Sequence, residues 1–232
     1  MRLDKFFSEQ GVLSRTETGA ALKQKRVFVN GVVATKKDMK IDEFKDVVIL
    51  DGKKIKYRKY VYVMLNKPLG YVSATRDGRE KTALDLLPSE LKNLGLFPSG
   101  RLDKDTCGLM ILTNDGISSH KRLAPKTHEK KAYEYGCADA LTDFDKEQIE
   151  RGITLKDGYT TKPCVVEKTD AFSGKITLTE GKYHEIRRLF GAVGNKITSL
   201  KRISFGNIKL DDTLKYGEWR YLTDEEIADF TK

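Results

Sequence analysis

The sequence predicts an α+β protein in two parts. Residues 1–59 read as a small basic module of two helices and a hairpin, and residues 60–232 as a larger domain with a mixed, largely antiparallel sheet flanked by helices. Three observations carry this reading. After residue 60, strand-like and helix-like stretches alternate irregularly, without the even βαβ spacing of a doubly wound parallel sheet. Charge is partitioned: residues 1–59 hold 15 Lys/Arg against 8 Asp/Glu, while residues 60–232 hold 28 against 26. Between them, the turn and basic stretch of residues 51–59 reads as a linker ending near Lys59. A basic module beside a nearly neutral domain suits attachment to phosphate backbones, although a merely solvated basic face has the same composition.

The elements follow in order. Leu3, Phe6 and Phe7 share one helical face, so residues 2–10 form a short amphipathic helix that Gly11 stops. Ser14 and Glu17 have the spacing of a capping box, which starts a second helix running to about Lys25. Residues 26–33 place two β-branched runs around Asn30-Gly31, a strong hairpin signal. This core is marginal, as befits an appended module. In the second part, the apolar run from Tyr60 to Leu65 enters a turn at Asn66-Lys67-Pro68-Leu69-Gly70. Further strands are expected at 108–113, 131–138, 161–167, 175–180 and 197–205, and helices near 82–87, 116–124, 143–151, 183–193 and 224–230.

Composition excludes several function classes. No apolar run reaches the roughly 18 residues that a membrane helix needs. The first residues lack a hydrophobic signal region, so a cytoplasmic protein with no membrane association is expected. Three scattered cysteines (107, 137, 164) and three distant histidines (120, 128, 184) show neither a disulfide framework nor zinc spacing. Without a Rossmann fingerprint or P-loop, the expectation is chemistry without cofactor or metal.

The most informative segment is residues 100–116. A glycine-opened polar loop carrying Arg101 and Asp103 runs into the apolar strand Leu109–Leu112, which ends at the turn Asn114-Asp115-Gly116. A carboxylate beside a buried strand is well placed for catalysis, though an arbitrary Asp more often pairs with a nearby Arg or caps a turn. Lys131, Tyr133, Tyr135 and Cys137 share one face of a strand. Ile186, Leu189, Phe190 and Val193 form the apolar stripe of a helix that Gly194 can end. At about 100° per residue, Arg187 lies about 60° outside that stripe and Arg188 nearly opposite it. Arg187 is therefore expected to be partly buried and Arg188 to face solvent or RNA; by itself, an Arg at a core edge usually just snorkels.

These runs resemble, end to end and in order, the RNA pseudouridine synthases, in the subfamily typified by the small-subunit ribosomal RNA enzyme RsuA. The match includes GRLD-x-x-T-x-GL-x-x-LTNDG at residues 100–116, MLNKP-x-GYV at 64–72, K-x-Y at 131–133 and H-[QE]-[IV]-[RK] at 184–187. The resemblance implies that Asp103 is the catalytic residue, that Tyr133 stacks on the target base, and that Arg187 pairs with Asp103 and keeps it ionised. It also nominates Arg101, Lys131, Leu200, Asn66 and Lys67 as substrate-binding residues. Residues 1–59 resemble the S4 RNA-binding domain, with its α-L-like fold. By that analogy Arg15, Lys23, Lys25 and Arg26 contact RNA phosphates, with Lys36 and Lys37 as further candidates. Lys25 stands where S4 domains often have glycine.

The implied reaction breaks the uridine N1–C1′ bond, turns the uracil and rejoins it through C5, after the base is flipped from its stack. The sequence leaves open whether Asp103 attacks C1′ or C6. The implied substrate is the uridine conventionally numbered 516 of 16S rRNA, in free RNA or an assembly intermediate, modified by a monomer. Sister enzymes with the same layout act on large-subunit (23S) rRNA; those with a full S4 domain often carry a long basic C-terminal extension, which this chain lacks after Thr231. Two other readings stay open: a non-catalytic S4-type ribosome-assembly factor, and hydrolysis by paired carboxylates, Asp103 with Asp105 or Asp115.

Overall fold

The computed structural model describes residues 1–127 and 129–232. His128 of the segment 128–135 lies outside the described residues. The chain divides into two compact units, Met1–Val61 with Leu87–Leu96, and Tyr62–Leu86 with Phe97–Lys232. The stretch 87–96, read from sequence as part of the second domain, thus belongs to the first unit.

In the first unit, helix α1 (Leu3–Glu9) buries Leu3, Phe6 and Phe7, and Gly11 ends it at φ +67°. A Cβ on Gly11 would lie 2.2 Å from the carbonyl oxygen of Glu90, just inside the short helix α3 (Ser89–Lys92), so only glycine fits there. Helix α2 (Arg15–Lys23) starts on the expected capping box: Ser14 Oγ accepts the Glu17 N–H, and the Glu17 carboxylate accepts the Ser14 N–H. After it Lys25 takes φ +56°, a left-handed conformation that explains why glycine suits this place. Strands β1 (Val27–Val29) and β2 (Val32–Val33) join through Asn30 and Gly31, at φ +51° and +81°. Both positive values define a type I′ turn.

The expected linker is a correction. Residues 48–55 form a second hairpin, β3 (Val48–Leu50) and β4 (Lys53–Ile55), around Asp51 and Gly52 at φ +51° and +76°. Asp-Gly does here what Asn-Gly does in the first hairpin. The lysines of β4 disguise it because it is the edge strand, in the sheet order β2-β1-β3-β4.

The second unit is a nine-stranded sheet. Its main path runs β13 (Trp219–Tyr221), β5 (Tyr62–Lys67), β7 (Cys107–Thr113), β11 (Ile197–Phe205), β8 (Lys131–Cys137), β10 (Ser173–Leu178), β9 (Val165–Lys168). Strand β6 (Phe97–Ser99) pairs with β7, and β12 (Ile208–Lys209) with β11. The ladders are antiparallel except β7–β11, so the sheet is mixed and largely antiparallel as expected. Strands β5 and β7 are buried along their whole length, which is why they read as continuous apolar runs. Helices α4 (Gly116–Leu123), α5 (Asp143–Arg151), α6 (Glu185–Ala192) and α7 (Asp224–Thr231) complete the unit. Among the described residues, no helix is long and apolar enough to cross a membrane.

Several boundaries move: the strand expected at 175–180 is Ser173–Leu178, and Asn66 and Lys67, expected in the turn, end β5. The strand expected at 161–167 starts at Val165, because Pro163 has no N–H to offer a ladder. The helix expected near 82–87 is one 3₁₀ turn, Ala83–Leu86. Helix α6 starts at Glu185, because His184 adopts a left-handed φ of +48°.

Candidate active site

The sheet brings distant sequence segments together at one place. Strand β11 lies between β7 and β8, pairing Arg202 with Gly108 on one side and with Tyr133 on the other. The loop before β7, the start of β8 and the middle of β11 therefore converge. Contact between β7 and β11 is close: Gly108 has φ +100°, and a Cβ on it would lie 2.3 Å from the Arg202 carbonyl oxygen.

A cavity of about 550 Å³ opens at this junction, within the range of small-molecule sites. Six residues singled out from sequence line it: Arg101, Asp103, Lys131, Tyr133, Arg187 and Leu200. Tyr133 and Leu200 are buried, whereas the Asp103 side chain is 34% exposed. Burial, and then the neighbouring Arg202 cation, lower the Lys131 pKa.

Asn66 and Lys67 do not line the cavity. Asn66 Nδ2 donates to the Leu214 carbonyl, tying β5 to the segment before β13. Lys67 is fully buried, and its Nζ donates to the carbonyls of Asp103, Thr106 and Pro68 at 3.0, 2.8 and 3.2 Å. It clamps the Asp103 loop from beneath. Burial pulls its pKa down to about 8.

The expected Arg187–Asp103 pair is also a correction. Arg187 Nη2 donates to the Asp105 carbonyl at 3.0 Å and pairs with the Asp105 carboxylate, also at 3.0 Å. Asp103 faces His184, whose Nε2 lies 3.5 Å from Oδ1. Arg187 thus holds the same loop two residues downstream, and its Nε is buried without a hydrogen-bond partner among the described residues. Arg188, expected to face solvent or RNA, pairs with Asp157 at 2.6 Å. The paired-carboxylate hydrolase loses its second acid: Asp105 is taken by Arg187, and buried Asp115 caps α4 and accepts from Tyr62.

Of the cations expected to meet phosphates, Arg15, Lys23 and Lys25 are exposed and make no ion pair among the described residues. Arg26 instead forms a bidentate pair with Asp51 at 2.6 and 2.5 Å, a contact the unforeseen second hairpin creates.

Sequence reasoning passed over Arg202, Glu180 and Glu185. Arg202 is buried, donates through Nε to the Leu109 carbonyl, and lies over the Phe205 ring. Glu180 accepts from the Tyr159 hydroxyl and the Lys162 N–H, and Glu185 from the Lys182 N–H. The signal of Glu180 and Glu185 was visible only as two acids flanking Gly181–His184.

Comparison with known proteins decides what this site belongs to. A family profile described as RNA pseudouridylate synthase matches residues 61–192, and the S4 domain profile matches residues 1–48. The chain belongs to the RNA pseudouridylate synthases. It is 42% identical to the uncharacterized RNA pseudouridine synthase YtzG of Bacillus subtilis (strain 168), covering 98% of this chain and 97% of that one. To ribosomal small subunit pseudouridine synthase A of Escherichia coli (strain K12) it is 38% identical, over 98% and 99%. A solved structure, the crystal structure of a pseudouridylate synthase, superposes with a TM-score of 0.71 at 34% identity, covering 99% of both chains.

The acid pair gives the synthase a pH signature. Burial and a hydrogen bond with Glu180 push the Glu185 carboxyl up to about 8. Burial opposes ionisation of Glu180 too, but hydrogen bonds from Glu185, Lys162 and Tyr159 hold it below the usual range. Folded Glu185 keeps its proton where the unfolded chain has lost it, so its contribution is complete below about 4.5 and disappears as pH rises through about 8. The Glu180 contribution has the opposite sign and lies below that window. Stability of the wild type relative to Glu185→Gln is therefore expected to fall from about pH 5 to 9 in urea unfolding. A difference that stays constant with pH would mean that Glu185 is ionised throughout.

Proposed function

We propose that this synthase converts one uridine of small-subunit ribosomal RNA to pseudouridine, by analogy the uridine numbered 516 of 16S rRNA, acting as a cytoplasmic monomer with Asp103 as nucleophile. The observation that carries the reading is the meeting of Asp103, Tyr133 and Leu200 around one nucleoside-sized cavity. The relatives named ribosomal small subunit pseudouridine synthase A, at 38–40% identity over the full chain, support the choice of RNA.

The chemistry follows from the parts. A stacked base cannot be turned over, so the target is extruded into the cavity, where the Tyr133 ring and Leu200 provide apolar surface for it. The Asp103 carboxylate forms the transient bond to the nucleoside, and the N1–C1′ bond breaks. The uracil turns, C5 bonds to C1′, and the carboxylate is released. C5 gives up its proton and N1 takes one, so atoms balance with no co-reactant. Lys67 and Arg187 hold the Asp103 loop in register from beneath and from the side. Arg15, Lys23 and Lys25 on the S4 domain meet backbone phosphates, which position the RNA without reading it.

Pseudouridine mapping by carbodiimide modification and primer extension tests this, on rRNA from cells lacking the gene and from cells complemented with it. One 16S stop lost on deletion and restored by the wild type is the expected result. A lost 23S stop would move the assignment to the large subunit. No lost stop in either RNA would sink the ribosomal reading.

A further inference from the structure

Asp103 stands between two cavities. Besides the first, a second of about 630 Å³ is lined by Leu69, Gly70, Val72, Ser73, Lys104 and Asp105, and both share Arg101, Leu102, Asp103, Tyr183 and His184. The shared wall includes an aromatic pair. The rings of Tyr183 and His184 lie 3.9 Å apart between centroids and within 14° of parallel. His184 covers one face of Tyr183, yet Tyr183 remains 75% exposed, so its other face is open.

The backbone that carries this pair is fixed at both ends. The Lys182 N–H donates to the Glu185 carboxyl, and the Glu185 N–H donates back to the Lys182 carbonyl. The two aromatic residues sit between these clamped ends, with His184 in its left-handed turn and its carbonyl accepting the first bond of α6 from Arg188. A large exposed tyrosine held this way loses little freedom when a flat partner lands on it. Leu69, also exposed, contributes apolar surface across the cavity. Arg101 at the shared wall is exposed and makes no ion pair among the described residues.

We propose that the second cavity is a subsite for the unpaired nucleotide adjoining the target uridine, whose base stacks on the open face of Tyr183 while Arg101 meets the phosphate between the two. This rests on the reading that the target occupies the first cavity with its sugar at Asp103. The chain leaving that sugar then passes the shared wall into the second cavity. Stacking on Tyr183 holds the neighbour splayed away from the target and favours extrusion. Stacking accepts any base, so the subsite tolerates sequence and requires only that the neighbour be unpaired.

The test measures pseudouridine formation on unmodified 16S and 23S rRNA transcripts. Tyr183→Ala should lower kcat/KM by about ten- to a hundredfold, the scale of one lost base stack, with Tm unchanged because the side chain is exposed. Tyr183→Phe and Tyr183→Trp should restore it to within about threefold. Removing the base on either side of the target should cost the wild type a similar factor from one side only, and should cost Tyr183→Ala nothing further. A Tyr183→Ala rate equal to wild type, or losses that simply multiply, would overturn the subsite alone. Where the bare transcripts are not modified, the same comparison is made on their ribonucleoprotein assembly intermediates; a wild type that modifies neither form would overturn the functional reading and the subsite with it.

Discussion

Asp103→Asn is expected to lower the rate of pseudouridine formation by roughly 10⁴-fold or more, while RNA affinity stays within about twofold. Asparagine keeps the shape of the side chain, and the loop under it is held by bonds that do not involve the carboxylate. Lys67 binds the Asp103 carbonyl, and Arg187 binds Asp105. The variant therefore keeps the loop and loses the carboxylate charge, including its share of the His184 contact, which is the group the proposed covalent step needs. Single-turnover assays on unmodified 16S transcript, beside filter binding of the same RNA, separate the two effects. Residual turnover within a hundredfold of wild type would show that another group carries the covalent step.

Gly108→Ala is expected to cost about 3 kcal/mol or more, lowering Tm by about 10 °C for a chain of this size. Alanine is strained at φ +100°, and its Cβ would sit 2.3 Å from one backbone atom of Arg202 and 2.8 Å from another. Neither can rotate away, so β7 and β11 must separate. That is the parallel ladder that joins the Asp103 loop to Leu200 and Arg202. Gly116→Ala in α4 is the control, because its Cβ would meet nothing within 4 Å. Equal thermal unfolding midpoints for the two variants would refute the tight β7–β11 contact.

Legibility of the fold followed how local each signal was. The capping box at Ser14 and the Asn30-Gly31 hairpin were readable because a few adjacent residues decide them. The hairpin at Asp51-Gly52 used the same chemistry but was hidden by the lysines of an exposed edge strand. The buried strands β5 and β7 were plain as apolar runs, whereas β6, β12 and β13 are two or three residues long and defined by their neighbours. The start of α6 was misplaced by two residues because nothing local marks His184 for a left-handed turn.

The amino-acid sequence by itself determined the fold class, the basic character of the first part, and six of the residues around the cavity. The first two depend on residue type and short-range spacing, which the chain displays directly; the six residues came from the resemblance of its motifs to the family. Tertiary structure decided which charges meet. It assigned Arg187 to Asp105, Arg26 to Asp51 and Arg188 to Asp157, put Lys67 beneath the loop instead of in the cavity, and set His184 beside Asp103. An ion pair is chosen by distance and by how many acceptors a partner presents, and both arise only when strands far apart in sequence become neighbours in a sheet.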